Sequence, residues 1–169
     1  MWHVTKKHSC FMLYVLCYMN LMNIKIHKQK INLESTTQIE FFDVTAEVQE
    51  AVDTSGVREG NVVIFASHTT MGIVINHNEP MLVQDFMRVL YKLVPMDDRY
   101  SHDLFELRKT SKSDGRSNGH SHCKSFLTGV SQTVPIEKGK MLITEKQSIF
   151  AIEFDGARKR DIVVQVMGI

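Results

Sequence analysis

Residues 61–76 read NVVIFASHTTMGIVIN: a β-branched run, the polar interruption ASHTT, and a second β-branched run. Val and Ile are stiff side chains that pack well on a pleated surface, so the pattern predicts two strands with the interruption at a strand end or bulge. The chain closes on a related signal. In DIVVQVM, residues 161–167, all that follows Asp161 is apolar apart from Gln165, as in a strand that is central in its sheet or lies at an interface.

The other elements fit around these strands. QKINLES and TQIEFFDV alternate as two strands joined by a polar turn. Thr45 is placed to cap a helix with Glu47 in its first turn and Val48, Ala51 and Val52 on one face, and the glycine of SGVREG ends it. A second helix is expected over residues 81–93, with Leu82, Phe86, Val89, Leu90 and Leu93 at helical spacing and Pro95 as its stop. Residues 96–120 are poor in apolar groups and rich in turn formers, so they read as a long loop with RKTSKSDGRS as a solvated tip. CKSFLTG then reads as a short helix closed by Gly129. Three strands are expected after it, SQTVPI, KMLIT and SIFAIEF. The fold class that results is α+β, with a largely antiparallel sheet and two to three helices.

The chain has 169 residues, which suits one domain with a core of its own. Its 20 basic and 19 acidic side chains nearly cancel, so no global field recruits nucleic acid or an anionic membrane. Cys10, Cys17 and Cys123 form no CxxC pair, which argues against a disulfide framework and for a reducing, cytoplasmic setting. The first 27 residues differ from the rest: CFMLYVLCYMNLM follows Lys6 and Lys7, too short for a membrane span but of the length of a signal-peptide apolar region. No cleavage site of small residues follows it. Residues 1–27 are therefore taken as an apolar extension, and 28–169 as the domain.

Of the 8 histidines, His68, His77, His102, His120 and His122 fall within one third of the chain. A catalytic zinc typically takes three protein ligands and leaves a position for water, and His68, His102 and His122 come from three separate segments that could converge on one ion. The competing reading makes His68 a hydrogen-bonded group at a strand end and YSHD a plain polar turn. On an extended segment His120 and His122 point the same way, whereas on a helix they diverge. Asp103 is a candidate partner for a ligating imidazole or a general base. Thr69 and Thr70 hydroxyls, Lys124 at the start of a helix, and Arg158 and Arg160 after DGA are candidates for phosphate oxygens. DGARKR also reads as a hairpin turn whose Asp-Gly supplies positive φ. Cys123 reads as a helix-buried thiol.

The ordered motifs FFDVTAEV, SGVREGNVVIFASHTTMGIVIN, YSHD, NGHSHCKSFLTGVSQTVPIEKGKM and EFDGARKRDIVVQVMG resemble the YjbQ family, whose members are called secondary thiamine-phosphate synthases. The resemblance runs over residues 28–169. It implies a compact α+β domain assembled as a homotrimer, with the histidine-bearing segments near subunit boundaries. It also implies an activity joining thiazole phosphate and pyrimidine pyrophosphate into thiamine phosphate. The matched positions are His68, Thr69, Asn76, Tyr100, His102, Asn118, His120, His122, Lys124, Gln147, Glu153 and Arg158. Two departures stand near them: TEKQ, residues 144–147, lacks the family's glycine and tryptophan, and His77 replaces a glutamate.

Three functions follow as expectations. The leading one is a transferase in which His102, Asp103, Asn118 and Lys124 are catalytic, Thr69, Thr70, Asn76, Gln147 and Arg158 bind the phosphorylated small-molecule substrate, and a divalent ion, zinc or magnesium, is held by His68, His102 and His122. The second is a metal-assisted hydrolase of a small phosphorylated or acyl metabolite. The third is a non-enzymatic trimeric protein that binds a metal or ligand. Nucleic acid and membrane are not expected partners of the domain.

Overall fold

DIVVQVM lies within β8 (Lys159–Gly168), which sits between β1 (Lys25–Glu34) and β3 (Gly60–Ala66) with antiparallel pairing on both sides. The central position expected of an almost wholly apolar strand is the one it takes. The computed structural model describes residues 24–107 and 116–169, with residues 105–107 described by backbone alone. Residues 1–23 of the apolar extension and most of the expected loop tip lie outside the described residues. Residues 25–27, assigned to the extension from sequence, are the first residues of β1.

The remaining elements are β2 (Glu40–Asp43), α1 (Thr45–Ser55), β4 (Met71–Asn76), α2 (Pro80–Leu93), α3 (Ser101–Leu107), α4 (Gly119–Thr128), β5 (Ser131–Glu137), β6 (Lys140–Met141) and β7 (Ser148–Glu153). They build two antiparallel sheets, ordered β1-β8-β3-β5-β6 and β2-β7-β4. The polar interruption ASHTT is where the chain crosses from one sheet to the other, between β3 and β4.

The main core lies between the sheets. Val62, Ile64, Val164 and Val166 from the first meet Ile73, Ile149 and Ala151 from the second, and Val48, Ala51 and Val52 of α1 join them. Each such side chain contributes about 1.5–3 kcal/mol on leaving water. On the outer side of the small sheet, Phe150, Ile152 and Phe154 form a second cluster under Met87 and Leu90 of α2. Of the α2 residues read as one apolar face, Val89 and Leu93 remain exposed, and Met87 takes the inward place.

Three local readings are corrected. The loop expected over residues 96–120 contains α3, and α4 begins at Gly119 rather than after His122. Thr45 is the first residue of α1 rather than its cap, with its hydroxyl donating to Asp43 Oδ1 and accepting from the Ile149 amide. DGARKR is not a hairpin, because β7 and β8 belong to different sheets. Gly156 is absent from the positive-φ residues, and its peptide bond to Ala157 is cis. Glycine is required there by close approach: a Cβ would run into the Thr37 carbonyl and the Ser35 hydroxyl.

Candidate functional site

α4 turns a polar face inward. Its buried residues are Gly119, His120, Ser121, Lys124 and Ser125, of which the last four form an i, i+1, i+4, i+5 set that shares one side of a helix. Such a face is tolerated only where its polar atoms meet partners. The partners are backbone carbonyls at element ends: Ser121 Oγ donates to Phe154 O at 2.6 Å, Ser125 Oγ to Met71 O at 2.6 Å, and Lys124 Nζ to Val94 O at 2.8 Å. Phe154 follows β7, Met71 opens β4, and Val94 caps the C-terminus of α2.

The start of α4 is fixed from a distance. Asp103 on α3 accepts from the Gly119 amide at 2.8 Å and from Ser117 Oγ at 2.6 Å. Burial pushes the Asp103 carboxyl up, and these two hydrogen bonds outweigh it and hold the group below its usual value. Asn118, the residue ahead of the helix, leaves the capping role and donates from Nδ2 to Asp155 Oδ2 at 3.1 Å. Its Oδ1 is buried without a hydrogen-bond partner.

Behind β7 the acidic and basic side chains interlock. Asp155 Oδ2 accepts from Arg158 Nη2 at 2.7 Å and Nε at 3.1 Å, and Arg116 approaches Asp155 Oδ1 at 3.8 Å. Glu153, wholly buried, pairs with Arg160 and accepts from the Asp155 amide at 2.7 Å, while Arg160 Nη2 donates to Thr70 Oγ1 at 3.0 Å. One polar centre thus joins Thr70, Asn118, Glu153, Asp155, Arg158 and Arg160 beside the inward face of α4.

His120 and His122 diverge, as residues two apart on a helix must. His120 is buried, with Nδ1 at 3.3 Å from Lys124 Nζ and 3.1 Å from Ser121 Oγ. Burial first, then the Lys124 charge, push its pKa down. His122 is half-buried, stands edge-to-face with His102 at 4.7 Å between ring centroids, and lines a cleft of about 390 Å³ with Thr69, Ser125 and Phe126. Tyr100 packs at 6.4 Å from the His120 ring, and burial, then Asp98, raise its hydroxyl above the usual value.

Other expected residues lie elsewhere. His68 faces Asp161 at 3.8 Å, on the same side of β8 as Val163 and Gln165. Asn76 pairs with Ser148, the residue after Gln147, at the far end of the small sheet; the polar centre is at the other end, where Met71 pairs with Glu153. Five residues of strand separate those ends by about 17 Å. Among the described residues no three His, Cys, Asp or Glu side chains come together as a metal group. His68, His102 and His122 are accordingly not gathered into one such group. Lys124 sits in the middle of α4 and is fully buried, rather than at its first turn facing solvent. Cys123, expected to be buried, is exposed. Asp155, Ser121, Ser125 and Gln38 were not singled out from sequence; the serines' spacing of four on a helix is the one signal that could have marked them.

Comparison with known proteins follows the same boundaries. The profile of the family described as UPF0047 protein YjbQ-like matches residues 29–169. A UPF0047 protein of Methanothermobacter thermautotrophicus is 35% identical over 145 residues, 86% of this chain and 94% of the relative. YugU of Bacillus subtilis is 30% identical over 139 residues, 82% of this chain and 97% of its own. A YbjQ-like protein of unknown function from Sulfolobus solfataricus superposes with a TM-score of 0.80 at 28% identity, covering 87% of this chain and 100% of that one. A YjbQ/UPF0047 protein of Clostridium acetobutylicum gives a TM-score of 0.72 at 35% identity, covering 82% and 98%.

Proposed function

The chain belongs to the YjbQ-like UPF0047 family, and from that premise we propose that it is a transferase acting on small phosphorylated molecules at the polar centre between α4 and the β7–β8 turn. The reaction its motifs suggest is coupling of thiazole phosphate with pyrimidine pyrophosphate. A bond forms from the thiazole nitrogen to the pyrimidine methylene carbon, and the methylene carbon–oxygen bond breaks with release of pyrophosphate. The observation that carries the reading is the inward polar face of α4. A fold of this size has no need to bury His120, Lys124, Glu153 and Asp155 around one helix end, and burial holds both His120 and Lys124 below their ordinary values, as at many functional sites.

In this reading the arginines at 116 and 158 receive phosphate oxygens at the rim, Asn118 Oδ1 accepts from a substrate N–H or O–H, and Thr69 and His122 line the adjacent cleft. Burial strengthens the contact at Asn118 most, since its surroundings are the driest of these. No step is routed through a metal held by this chain's histidines.

We also propose that the working form is a homotrimer. Supporting this, the outer face of the large sheet carries the rows Ile26–Met167–Asn61, Lys28–Gln165–Val63 and Lys30–Val163–Phe65, with Phe65, Met167 and Ile26 exposed. A contiguous face of that kind is suited to burial against another copy. In a trimer that buries this face, His68 and Asp161 at its edge would stand beside a subunit boundary.

The test is product formation by the purified full chain with both substrates, in Mg²⁺ and separately in Zn²⁺. Thiamine phosphate and pyrophosphate are expected in equal amounts, with the rate reduced in His122→Ala. No product under either ion, or an unchanged rate in the variant, sinks the reading.

A further inference from the structure

His120 Nδ1 has two polar neighbours that ask for opposite tautomers. Ser121 Oγ, at 3.1 Å, sends its single proton to Phe154 O, so toward the ring it can only accept, which favours Nδ1–H. Lys124 Nζ, at 3.3 Å, has three N–H donors and no lone pair as an ammonium, which favours a bare Nδ1. One other donor goes to Val94 O, and the charge stands 5.6 Å from the centroid of the Tyr91 ring. Val94 caps the C-terminus of α2, where the helix dipole favours a cation, so the site is built to keep Lys124 charged although burial lowers its pKa.

Magnitude decides between the neighbours. A hydrogen bond from an ammonium is roughly twice as strong as one between neutral groups, and an Nδ1–H would point a positive hydrogen at a cation. The ammonium wins over the hydroxyl.

We propose that Lys124 is a positioning residue that holds His120 as the neutral Nε2–H tautomer, so that the imidazole donates a hydrogen bond to a substrate oxygen rather than taking a proton. The substrate rests on the function proposed above; the tautomer does not. Nε2 faces Gln38, whose Nε2 is 3.3 Å away. Two donors cannot bond, and a half-rotation of the amide turns its Oε1 to the ring and completes the contact. Gln38 is exposed, so it covers His120 Nε2 from the solvent side and is the group a substrate oxygen would replace. Asp103 and Asp155 act at the ring against burial and the Lys124 charge, which prevail and hold His120 below its ordinary value. The hydrogen-bond partners set its state.

The experiment is a long-range ¹H–¹⁵N correlation spectrum of the full chain labelled at histidine, recorded at neutral pH without substrate. Wild type is expected to show His120 protonated at Nε2. Ser121→Ala keeps that pattern, and Lys124→Met exchanges it for Nδ1–H donating to Ser121. An Nδ1–H signal in wild type, or loss of the Nε2–H pattern in Ser121→Ala, overturns the proposal even if Lys124→Met does not fold; an unchanged tautomer in folded Lys124→Met overturns it as well. Added pyrophosphate should shift the Nε2 proton. Failure of that shift alone counts against the substrate reading and leaves the tautomer standing.

Discussion

Asn118 Nδ2 donates to Asp155 Oδ2 over 3.1 Å, tying the residue ahead of α4 to the turn behind β7. The same oxygen accepts from both Nε and Nη2 of Arg158, so one nearly buried carboxylate serves three donors. Asp155→Ala removes the carboxylate that a buried amide and a guanidinium share, although Arg158 Nε keeps its bond to the Asp155 carbonyl, and removing one partner of a buried ion pair costs about 3–5 kcal/mol. Urea unfolding should show a loss near the lower bound, since Arg158 keeps some contact with water. Asp155→Asn, which retains an acceptor, should lose less than half of that.

Gly156 illustrates a different constraint. Because a Cβ there collides with the Thr37 backbone, Gly156→Ala must displace either the 35–38 loop or the β7–β8 turn. A loss of about 1–3 kcal/mol is expected, as for other overpacked positions. Gly139→Ala has more space, the nearest atom being the Val57 carbonyl at 3.8 Å, but its φ of 80° makes it a strain control rather than a steric one. Equal stability of Gly156→Ala and wild type in thermal unfolding would contradict the close-approach argument.

Ser125 holds α4 to the first carbonyl of β4 at 2.6 Å. Ser125→Ala removes that bond from a buried site, with an expected loss of about 1–2 kcal/mol. Phe126, on the outer side of the same helix, is 87% exposed, so Phe126→Ser should leave the stability of an isolated chain within about 0.5 kcal/mol. If the homotrimer uses that side, sedimentation of Phe126→Ser will report it separately.

The strands were largely legible in the sequence because their β-branched runs are long and bounded by turn residues. The apolar face of α1 was legible from its period. The beginning of α4 was not. Gly, His, Ser and Cys are weak helix formers, and the carboxylate that binds its first amide comes from Asp103, 16 residues earlier. α3 was read as loop because the residues that could mark it are mostly polar. The burial of Lys124 defied expectation in the same way. A lysine is almost never fully buried unless partnered; His120 is one helical turn away on α4, but Val94 O becomes a neighbour only through α2 and α4 packing together. The motif residues were legible through family resemblance. Their division, with Asn76 and Gln147 at one end of the small sheet and the polar centre at the other, follows from register, which no single motif encodes.

Acid should act on Asp43. Burial tends to raise its carboxyl, but hydrogen bonds from the Thr45 hydroxyl and amide, with Ser148 and Asn78, outweigh it and hold the group below its ordinary value. A carboxyl depressed in the folded state contributes stability that is present above the unfolded value, about 4, and is lost as pH falls through the folded one. Unfolding free energy measured from pH 5 to pH 3 should therefore fall more steeply in wild type than in Asp43→Asn. Parallel curves would remove Asp43 from the account.

The central claim is that a phosphorylated substrate reacts at the buried polar centre around α4. Its most direct measurement is the steady-state rate of thiamine phosphate formation by the full chain and by His120→Ala, compared after unfolding has shown both to be folded. Removing one buried donor to developing charge costs about 10²–10³ in kcat, and a drop in that range is predicted. A His120→Ala variant that turns over at the wild-type rate would contradict the claim.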